Sequence, residues 1–498
     1  MSGKSPRLVV VTPTEEWIEE ISAEISEPVR ASAADLFERP EYYLSGPTVL
    51  ILNPLGEPDV TEFRRILSGS EINPLTLIPV SLSHLVGPGR EAAAAAVLRY
   101  ALKWSEEAPR LTRGIERTLR TPPRRISRRE LLSLPRRAWS YPESPKLVGA
   151  CSGTLAGSCR RCEEVCPAGS VTIGDGGPAI SEFSCKDCGL CASVCPTGAL
   201  QVPTFSDWQA SHLDLLSPPQ RALPWVVLFT CDAGVSELAR VKIHSAHVLP
   251  VRVPCAASAG WTSILRAAES GLDGVALYCP RLDCDRRDAF VKIVGEASKL
   301  VPLMNQAGVA LQFLEGGPQV IAKAAEEVEV GGARASPTPL TIQRRRDLLS
   351  MAANLCSQPV KIEGLLFAVE VDQGCTLCGV CAEKCPMGAL HLVKGGELTS
   401  LTFRPDLCVG CGYCLEVCPE SAMKIHPAEL DPREDLSEPR VLRSDELARC
   451  VECGEPIGPQ SLVMAVYRRL KAQGMDKAAE TALLCQQCRA KKMLEGLS

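Results

Sequence analysis

Residues 375–390 read CTLCGVCAEKCPMGAL, and residues 408–423 read CVGCGYCLEVCPESAM. Each stretch is a complete C-x2-C-x2-C-x3-C-P run. This spacing lets three thiolates wrap one corner of an iron–sulfur cubane, and the glycine after the second cysteine, Gly379 or Gly412, lets the backbone curl with its N–H groups toward the sulfurs. Two such runs in tandem predict two [4Fe–4S] clusters in one module.

When two such clusters are neighbours, the fourth cysteine of each run binds the other cluster. This rule predicts two crossed ligand sets, Cys375, Cys378, Cys381 with Cys418, and Cys408, Cys411, Cys414 with Cys385. A degenerate fold without metal is the alternative, and eight intact thiolates argue against it. The module resembles the bacterial two-[4Fe–4S] ferredoxin family. That resemblance implies a pseudo-symmetric fold of β-hairpins and helices, and one-electron transfer at low potential.

A second module lies earlier in the chain, where CSGTLAGSCRRCEEVCP (151–167) precedes CKDCGLCASVCPTGAL (185–200). The same rule assigns Cys185, Cys188, Cys191 and Cys166 to one [4Fe–4S] cluster. Cys159, Cys162 and Cys195 lack a fourth ligand, and Cys151 is the nearby candidate across seven small, flexible residues. The alternatives are a [3Fe–4S] cluster with Cys151 unligated, or the loss of one site.

Four cysteines of the middle segment follow predicted strands. PWVVLFTC (224–231) and VLPVRVPC (248–255) each end on a cysteine, and GVALYCPRLDC (274–284) carries two. Parallel strands place their carboxyl ends on one edge of a sheet, where ligands gather. Cys231, Cys255, Cys279 and Cys284 could therefore hold a [2Fe–2S] cluster or zinc. The alternative is ordinary packing of buried cysteine side chains.

This segment resembles the iron–sulfur (delta) subunit of methyl-viologen-reducing hydrogenases. The matching residues are VPC (253–255) and ILRAAESGLDGVALYCPRLDC (264–284), and the chain departs from the family at TCDAG (230–234), which has one cysteine instead of two. The resemblance implies a [2Fe–2S] cluster that exchanges electrons with a heterodisulfide-reductase type of partner.

The tail contains CVECGEP (450–456) and CQQC (485–488), separated by a helical pattern at 462–474. Two cysteine pairs flanking a helix predict a tetrahedral zinc site of Cys450, Cys453, Cys485 and Cys488. Iron is the alternative. Six sets of four account for 24 of the 25 cysteines in this 498-residue chain, and the remaining one, Cys356, is predicted to be an unligated thiol.

The remaining sequence suggests a multidomain α/β and α+β protein. A repeated basic motif, SRRELLSL (127–134) and RRRDLLSM (344–351), precedes each cysteine module, and the first copy fits a helix capped by Ser127 and Glu130. The expected segments are an α/β docking domain (1–110), a basic Pro/Arg-rich linker (111–150), the first ferredoxin-like module (151–205), a parallel-sheet module (222–316), a linker with the second basic helix (317–360), the second ferredoxin-like module (361–430) and a zinc-knuckle-like tail (440–498).

The chain has a net charge of −5 and no apolar run long enough to span a membrane. We therefore expect a cytoplasmic protein without nucleic-acid partners. The expected function is that of an electron-transfer subunit of a larger oxidoreductase, with a separate catalytic subunit and a soluble ferredoxin or quinone-linked partner. The alternatives are a redox enzyme that binds substrate or flavin itself, and a cluster-containing redox sensor or scaffold.

Overall fold

The chain divides into two compact units, Met1–Cys151 with Arg160–Val360, and Ser152–Cys159 with Lys361–Ser498. A computed structural model describes residues 7–12, 15–32, 36, 44, 47–52, 74–111, 118–119, 139–140, 143–156, 159–174, 176–182, 184–217, 222–331, 338 and 344–495. The predicted helix at 127–134 lies outside these residues.

The first unit begins with a four-stranded parallel sheet, in which the first strand lies between the second and the third. Three continuous apolar runs of the sequence, at 8–11, 48–54 and 75–82, predict strands, and each overlaps a strand of this sheet. Pro28–Ser32 was not predicted, because Ala31 is the one buried residue of this edge strand and its sequence has no apolar run. The strands are Arg7–Thr12, Pro28–Ser32, Thr48–Leu52 and Leu77–Ser81, and the helices are Glu16–Ile25 and Arg90–Leu111.

The first cysteine module packs two short helices against small β-structures. A hairpin follows the first cysteine run, and a two-stranded pair joins residues 146–147 to the end of the second run. Its elements in the first unit are Lys146–Leu147, Arg161–Val165, Val171–Gly174, Gly177–Ile180, Leu190–Ser193, Leu200–Gln201 and Asp207–Ser211. The helix Ser152–Ala156 belongs to the second unit.

The middle of the chain forms a second four-stranded parallel sheet, again with the first strand between the second and the third. Every residue of its first three strands is buried. This agrees with their continuous apolar runs, which are typical of parallel strands covered on both faces. The strands are Trp225–Thr230, His247–Arg252, Gly274–Cys279 and Ala310–Glu315, and the helices are Asp232–Leu238, Trp261–Glu269, Arg287–Ser298, Val301–Gln306 and Gln319–Glu326. This strand order creates a switch point between the first and third strands, where their carboxyl ends leave a crevice.

The second basic motif forms the helix Arg344–Leu355. Its first residue is buried against the first cysteine module. The Arg344 guanidinium donates two hydrogen bonds of 2.7 Å to the Asp207 carboxylate, and it donates to the carbonyls of Ala192 (2.6 Å) and Cys195 (2.9 Å). This helix therefore fastens the backbone around a predicted cluster ligand of the first module, although it directly precedes the second module in sequence.

The second unit is built around a four-stranded antiparallel sheet. Its long strand, Arg440–Arg449, pairs with Leu398–Phe403 of the cysteine module and with Pro456–Pro459 of the tail, so the tail and the module share one sheet. The other strands are Phe367–Val371, Leu390–Gly395, Met423–Pro427 and Glu429–Leu430, and the helices are Val380–Lys384, Tyr413–Glu416, Gln460–Ala472, Asp476–Ala482 and Gln486–Glu495.

Among the helices of the described residues, none combines the length and the apolar character that crossing a lipid bilayer requires.

Candidate iron–sulfur and metal centres

A cavity in the second module is lined by Cys375, Cys378 and Cys381 of one run and by Cys418 of the other. The pKa of Cys381 is raised to about 11. Burial is the main cause, and the three other thiols contribute because their charges would repel the thiolate. The apolar lining includes Leu377, Leu392, Leu401 and Met423. Four sulfurs crowd a water-poor cavity here, where bound metal would stabilise the thiolates that an empty pocket disfavours.

The other four cysteines of this module form a second group. Burial raises the pKa of Cys414 to about 12, with further contributions from Cys408, Cys411 and Cys385. Cys385 comes from the run that lines the first cavity, so the structure brings the cysteines together in the crossed combination. Within the second run of this module the backbone turns at Gly412, whose φ of +78° is a conformation that favours glycine.

The first module contains the equivalent cavity, lined by Cys166 of its first run and by Cys185, Cys188 and Cys191 of its second. Burial raises the pKa of Cys191 well above its usual value, and Cys188, Cys185 and Cys166 add to the rise. This arrangement repeats that of the second module, as the internal repeat leads one to expect.

The remaining set of the first module is brought together in part. Cys151 packs against an apolar group that contains Cys162 and Cys195. Cys159 belongs to the segment Ser152–Cys159, which groups with the second unit. The assignment of all four thiolates to one cluster therefore stays a prediction.

Backbone N–H groups point at the sulfur of three of the four cysteines that precede a proline. Four residues on, Ser170 donates to Cys166 Sγ at 3.2 Å. In the second module Ala389 donates to Cys385 Sγ (3.2 Å) and Ala422 to Cys418 Sγ (3.4 Å). Such donors stabilise negative charge on sulfur, and they are a means by which proteins set cluster potentials.

Cys195 is the exception among these four cysteines. Its fourth following residue, Ala199, donates instead to the Thr197 hydroxyl at 3.3 Å. That hydroxyl lies 3.7 Å from Cys195 Sγ. A side-chain hydroxyl thus takes the place of the N–H donor next to this sulfur.

The middle cysteines gather at the carboxyl edge of the central sheet. Burial raises the pKa of Cys255 to about 12 and that of Cys279 to about 11, and Cys231 adds to both shifts. Cys284 also raises the pKa of Cys279, so electrostatic interactions link the four thiols in a series at the switch point. Among the described residues, their sulfurs do not form a group within 4.8 Å of one another of the kind found in the tail.

A buried ion network that the sequence analysis missed braces this edge. The Arg252 guanidinium donates to the Asp232 carboxylate at 3.0 and 3.1 Å and to Glu143 at 2.8 Å. Asp232 follows Cys231, and Arg252 ends the strand that leads to Cys255, so the network ties together two strand ends that carry predicted ligands. No local motif marks it, because its members are far apart in sequence.

The tail brings Cys450, Cys453, Cys485 and Cys488 together, with all four sulfurs within 4.8 Å of one another. The Cys453 and Cys485 sulfurs are 3.6 Å apart. A tetrahedral ion with metal–sulfur bonds of about 2.3 Å holds its sulfurs about 3.8 Å apart, whereas a cubane holds them farther apart because each thiolate caps a different iron. The four sulfurs fit a single ion.

Backbone donors prepare one of these thiols for metal. The N–H of Cys485 is the main cause that lowers the pKa of Cys450 to about 6, with further donation from Cys453 and Glu452. These donors favour the charged thiolate form of Cys450, which is the form that binds metal. The helix Gln460–Ala472 and the following short helix connect the two cysteine pairs.

Comparison with known proteins identifies two segments. The 4Fe-4S dicluster domain family matches residues 157–199 and 374–422. These matches support two ferredoxin modules that carry 4Fe–4S clusters, and with them an iron–sulfur protein of the electron-transfer kind. A search of curated proteins with the whole chain found no match.

Proposed function

We propose that this protein is a multi-cluster electron-transfer subunit of a larger oxidoreductase. It would hold four [4Fe–4S] clusters in two dicluster modules, a [2Fe–2S] cluster at the edge of the central sheet, and one zinc ion in the tail. The observation that carries the proposal is the repeated cavity in which three cysteines of one run meet the fourth cysteine of the other.

The four predicted cubane sites are the crossed sets of both modules, including Cys151 with Cys159, Cys162 and Cys195. Bound clusters would supply one-electron redox chemistry. The chain's own residues would position the sulfurs, exclude water from them through apolar lining, and donate N–H hydrogen bonds that stabilise their negative charge. These are the tasks of an electron carrier, since none of them makes or breaks a substrate bond.

The central site supports a binuclear cluster better than zinc. Its four thiols line the strand ends as a series, whereas the tail thiols form one compact group. The resemblance of residues 253–284 to the delta subunit of methyl-viologen-reducing hydrogenases points the same way. The partner would be a hydrogenase, a formate or other molybdopterin oxidoreductase, or a heterodisulfide-reductase-like complex, in the cytoplasm, with a soluble ferredoxin or quinone-linked protein as a further electron partner.

Anaerobic purification followed by iron, sulfide and zinc quantification and EPR tests this proposal. We expect about 18 irons and about one zinc per chain, from four cubanes, one binuclear cluster and the tail ion. Fewer than about 12 irons after full reconstitution would contradict the four-cubane assignment. A flavin absorbance in the purified chain would favour an enzyme instead, and clusters that dithionite cannot reduce would favour a sensor or scaffold.

A further inference from the structure

The first cysteine module lies directly against the central site within the first unit. Gly189, which follows cluster ligand Cys188, has a φ of +72°, and a Cβ there would lie 2.5 Å from Ser258 Cβ. Gly260 makes the reciprocal approach, since a Cβ there would lie 2.7 Å from the Ser193 carbonyl oxygen. Both glycines are needed because the backbones on either side are in contact. The loop after Cys255 and the loop after Cys188 are therefore packed directly against each other, and together they form a wall shared by the two sites.

Two lysines reinforce this contact from its edges. Lys186 Nζ, between cluster ligands of the first module, donates to the Asp285 carbonyl at 2.6 Å. Lys292 Nζ, on the helix Arg287–Ser298, donates to the Val165 carbonyl at 2.8 Å. The two cofactor sites are thereby held in one fixed arrangement.

Arg286 lies at this wall. Its guanidinium donates to the Pro254 carbonyl at 2.8 Å, one residue before Cys255, and its backbone N–H donates to Cys284 Sγ at 3.5 Å. Its charge also acts across the wall. It interacts electrostatically with Cys188 of the first module and with Cys255 of the central site. One cation therefore faces ligands of two different sites.

Carboxylates around Arg286 partly balance its positive charge. Glu143, Asp187 and Asp285 all interact with it electrostatically. Asp187 is buried in the loop between Cys185 and Cys188. An arginine remains charged at any physiological pH, so the field at both sites is permanent.

We propose that Arg286 is a positioning residue shared by the Cys166/Cys185/Cys188/Cys191 site and the central Cys231/Cys255/Cys279/Cys284 site, and that these two sites are the adjacent pair through which electrons pass between the first module and the central module. The inference rests on the proposed function. In each transfer one electron leaves one site and enters the other, so one site is oxidised as the other is reduced, and no bond or proton is exchanged. A fixed cation beside both sites favours the reduced, more negative state of each and raises both potentials.

The test is an EPR-monitored redox titration of the full-length, anaerobically purified protein. Arg286→Gln should lower the midpoint potentials of one [4Fe–4S] cluster and of the central group together, and leave the other cubanes unchanged. The matched control is Arg287→Gln, because Arg287 is paired with Glu315 on the exposed side of the same helix start. We expect the control to leave the first-module cluster at its wild-type potential. Arg286→Lys keeps the charge and should therefore leave both midpoint potentials close to their wild-type values.

A second measurement tests the adjacency without changing Arg286. In the reduced wild-type protein, magnetic coupling to the central group should add splitting or broadening to the signal of one [4Fe–4S] cluster, beyond that from its neighbouring cubane, and Cys255→Ser should remove this added coupling while the cubane iron stays in place. Unchanged potentials in an Arg286→Gln protein with full iron content, or a reduced central group without coupling to any cubane, would overturn the inference. Either result leaves the iron count, which tests the proposed function, untouched.

Discussion

In each module, one cysteine that precedes a proline, Cys166 or Cys418, lines a cavity whose other sulfurs belong to the neighbouring run. Cys166 meets Cys185, Cys188 and Cys191 in this way. Its sulfur also accepts the N–H of Ser170, which holds it in place. One side chain thereby couples two stretches of sequence, and each dicluster module depends on both of its runs.

We predict that Cys166→Ser damages the cluster of the second run in its module. The EPR signal of one cubane should be lost or replaced by a three-iron signal, because one of four thiolates is missing. The control is Cys356→Ser: Cys356 is buried, its sulfur hydrogen-bonds the Gln358 carbonyl at 2.6 Å, and it lies in none of the six sets. An intact set of four cubane signals in Cys166→Ser would contradict the crossed ligation.

Glycines at equivalent motif positions have different surroundings in the two modules. Gly189 and Gly412 both follow the second cysteine of a run and have φ values of +72° and +78°. A Cβ at Gly412 would meet nothing within 4 Å, whereas one at Gly189 would collide with Ser258. The turn requires a left-handed residue in both runs, but the central module adds a packing requirement to one of them.

We predict that Gly189→Ala destabilises the first unit more than Gly169→Ala does. Gly169 lies in the same module with a φ of +58° and open space around it, so its alanine variant suffers only backbone strain of about 1 kcal/mol. Gly189→Ala adds a steric clash worth roughly 1–3 kcal/mol. Anaerobic thermal unfolding, followed by loss of the visible cluster absorbance, measures the difference. Equal unfolding temperatures would show that the first module and the central module are not in close contact.

The long strand Arg440–Arg449 joins the second cysteine module to the four-cysteine tail in the second unit. One part of it pairs with the ferredoxin-like module, and it ends immediately before Cys450 of the tail site. The predicted iron sites and the predicted single-ion site have separate cysteines but share a sheet. The tail is thus an extension of the second module rather than an isolated lobe.

We predict that Cys453→Ser releases the tail ion and leaves the iron content unchanged. Cys453 is the exposed member of the four tail cysteines, so its replacement should disturb packing least. Metal analysis should show zinc falling from about one per chain to well below one, because a structural site needs all four ligands. Loss of iron with retention of zinc would instead identify the tail as an iron site.

Short-range patterns made much of this protein readable from its sequence. The C-x2-C-x2-C-x3-C-P spacing acts within a dozen residues, so Gly379, Gly412 and the cysteines around them predict the dicluster modules, and the family match supports both. Continuous apolar runs likewise predicted the first three strands of the central sheet, but not its partly buried edge strand Ala310–Glu315. The edge strand Pro28–Ser32 escaped because its burial is slight and its sequence carries no such run.

Contacts between distant segments could not be read in this way. Arg344 looked like part of a basic lead-in helix, yet it holds the carbonyls of Ala192 and Cys195. Arg286 had no motif at all, and it faces the ligands of two sites because the chain between residues 188 and 255 folds back on itself. Cysteine spacing therefore predicts which sulfurs of one run would bind metal, since that depends on local geometry, whereas the neighbours of each site and the charges that act on it depend on how separate modules pack in three dimensions.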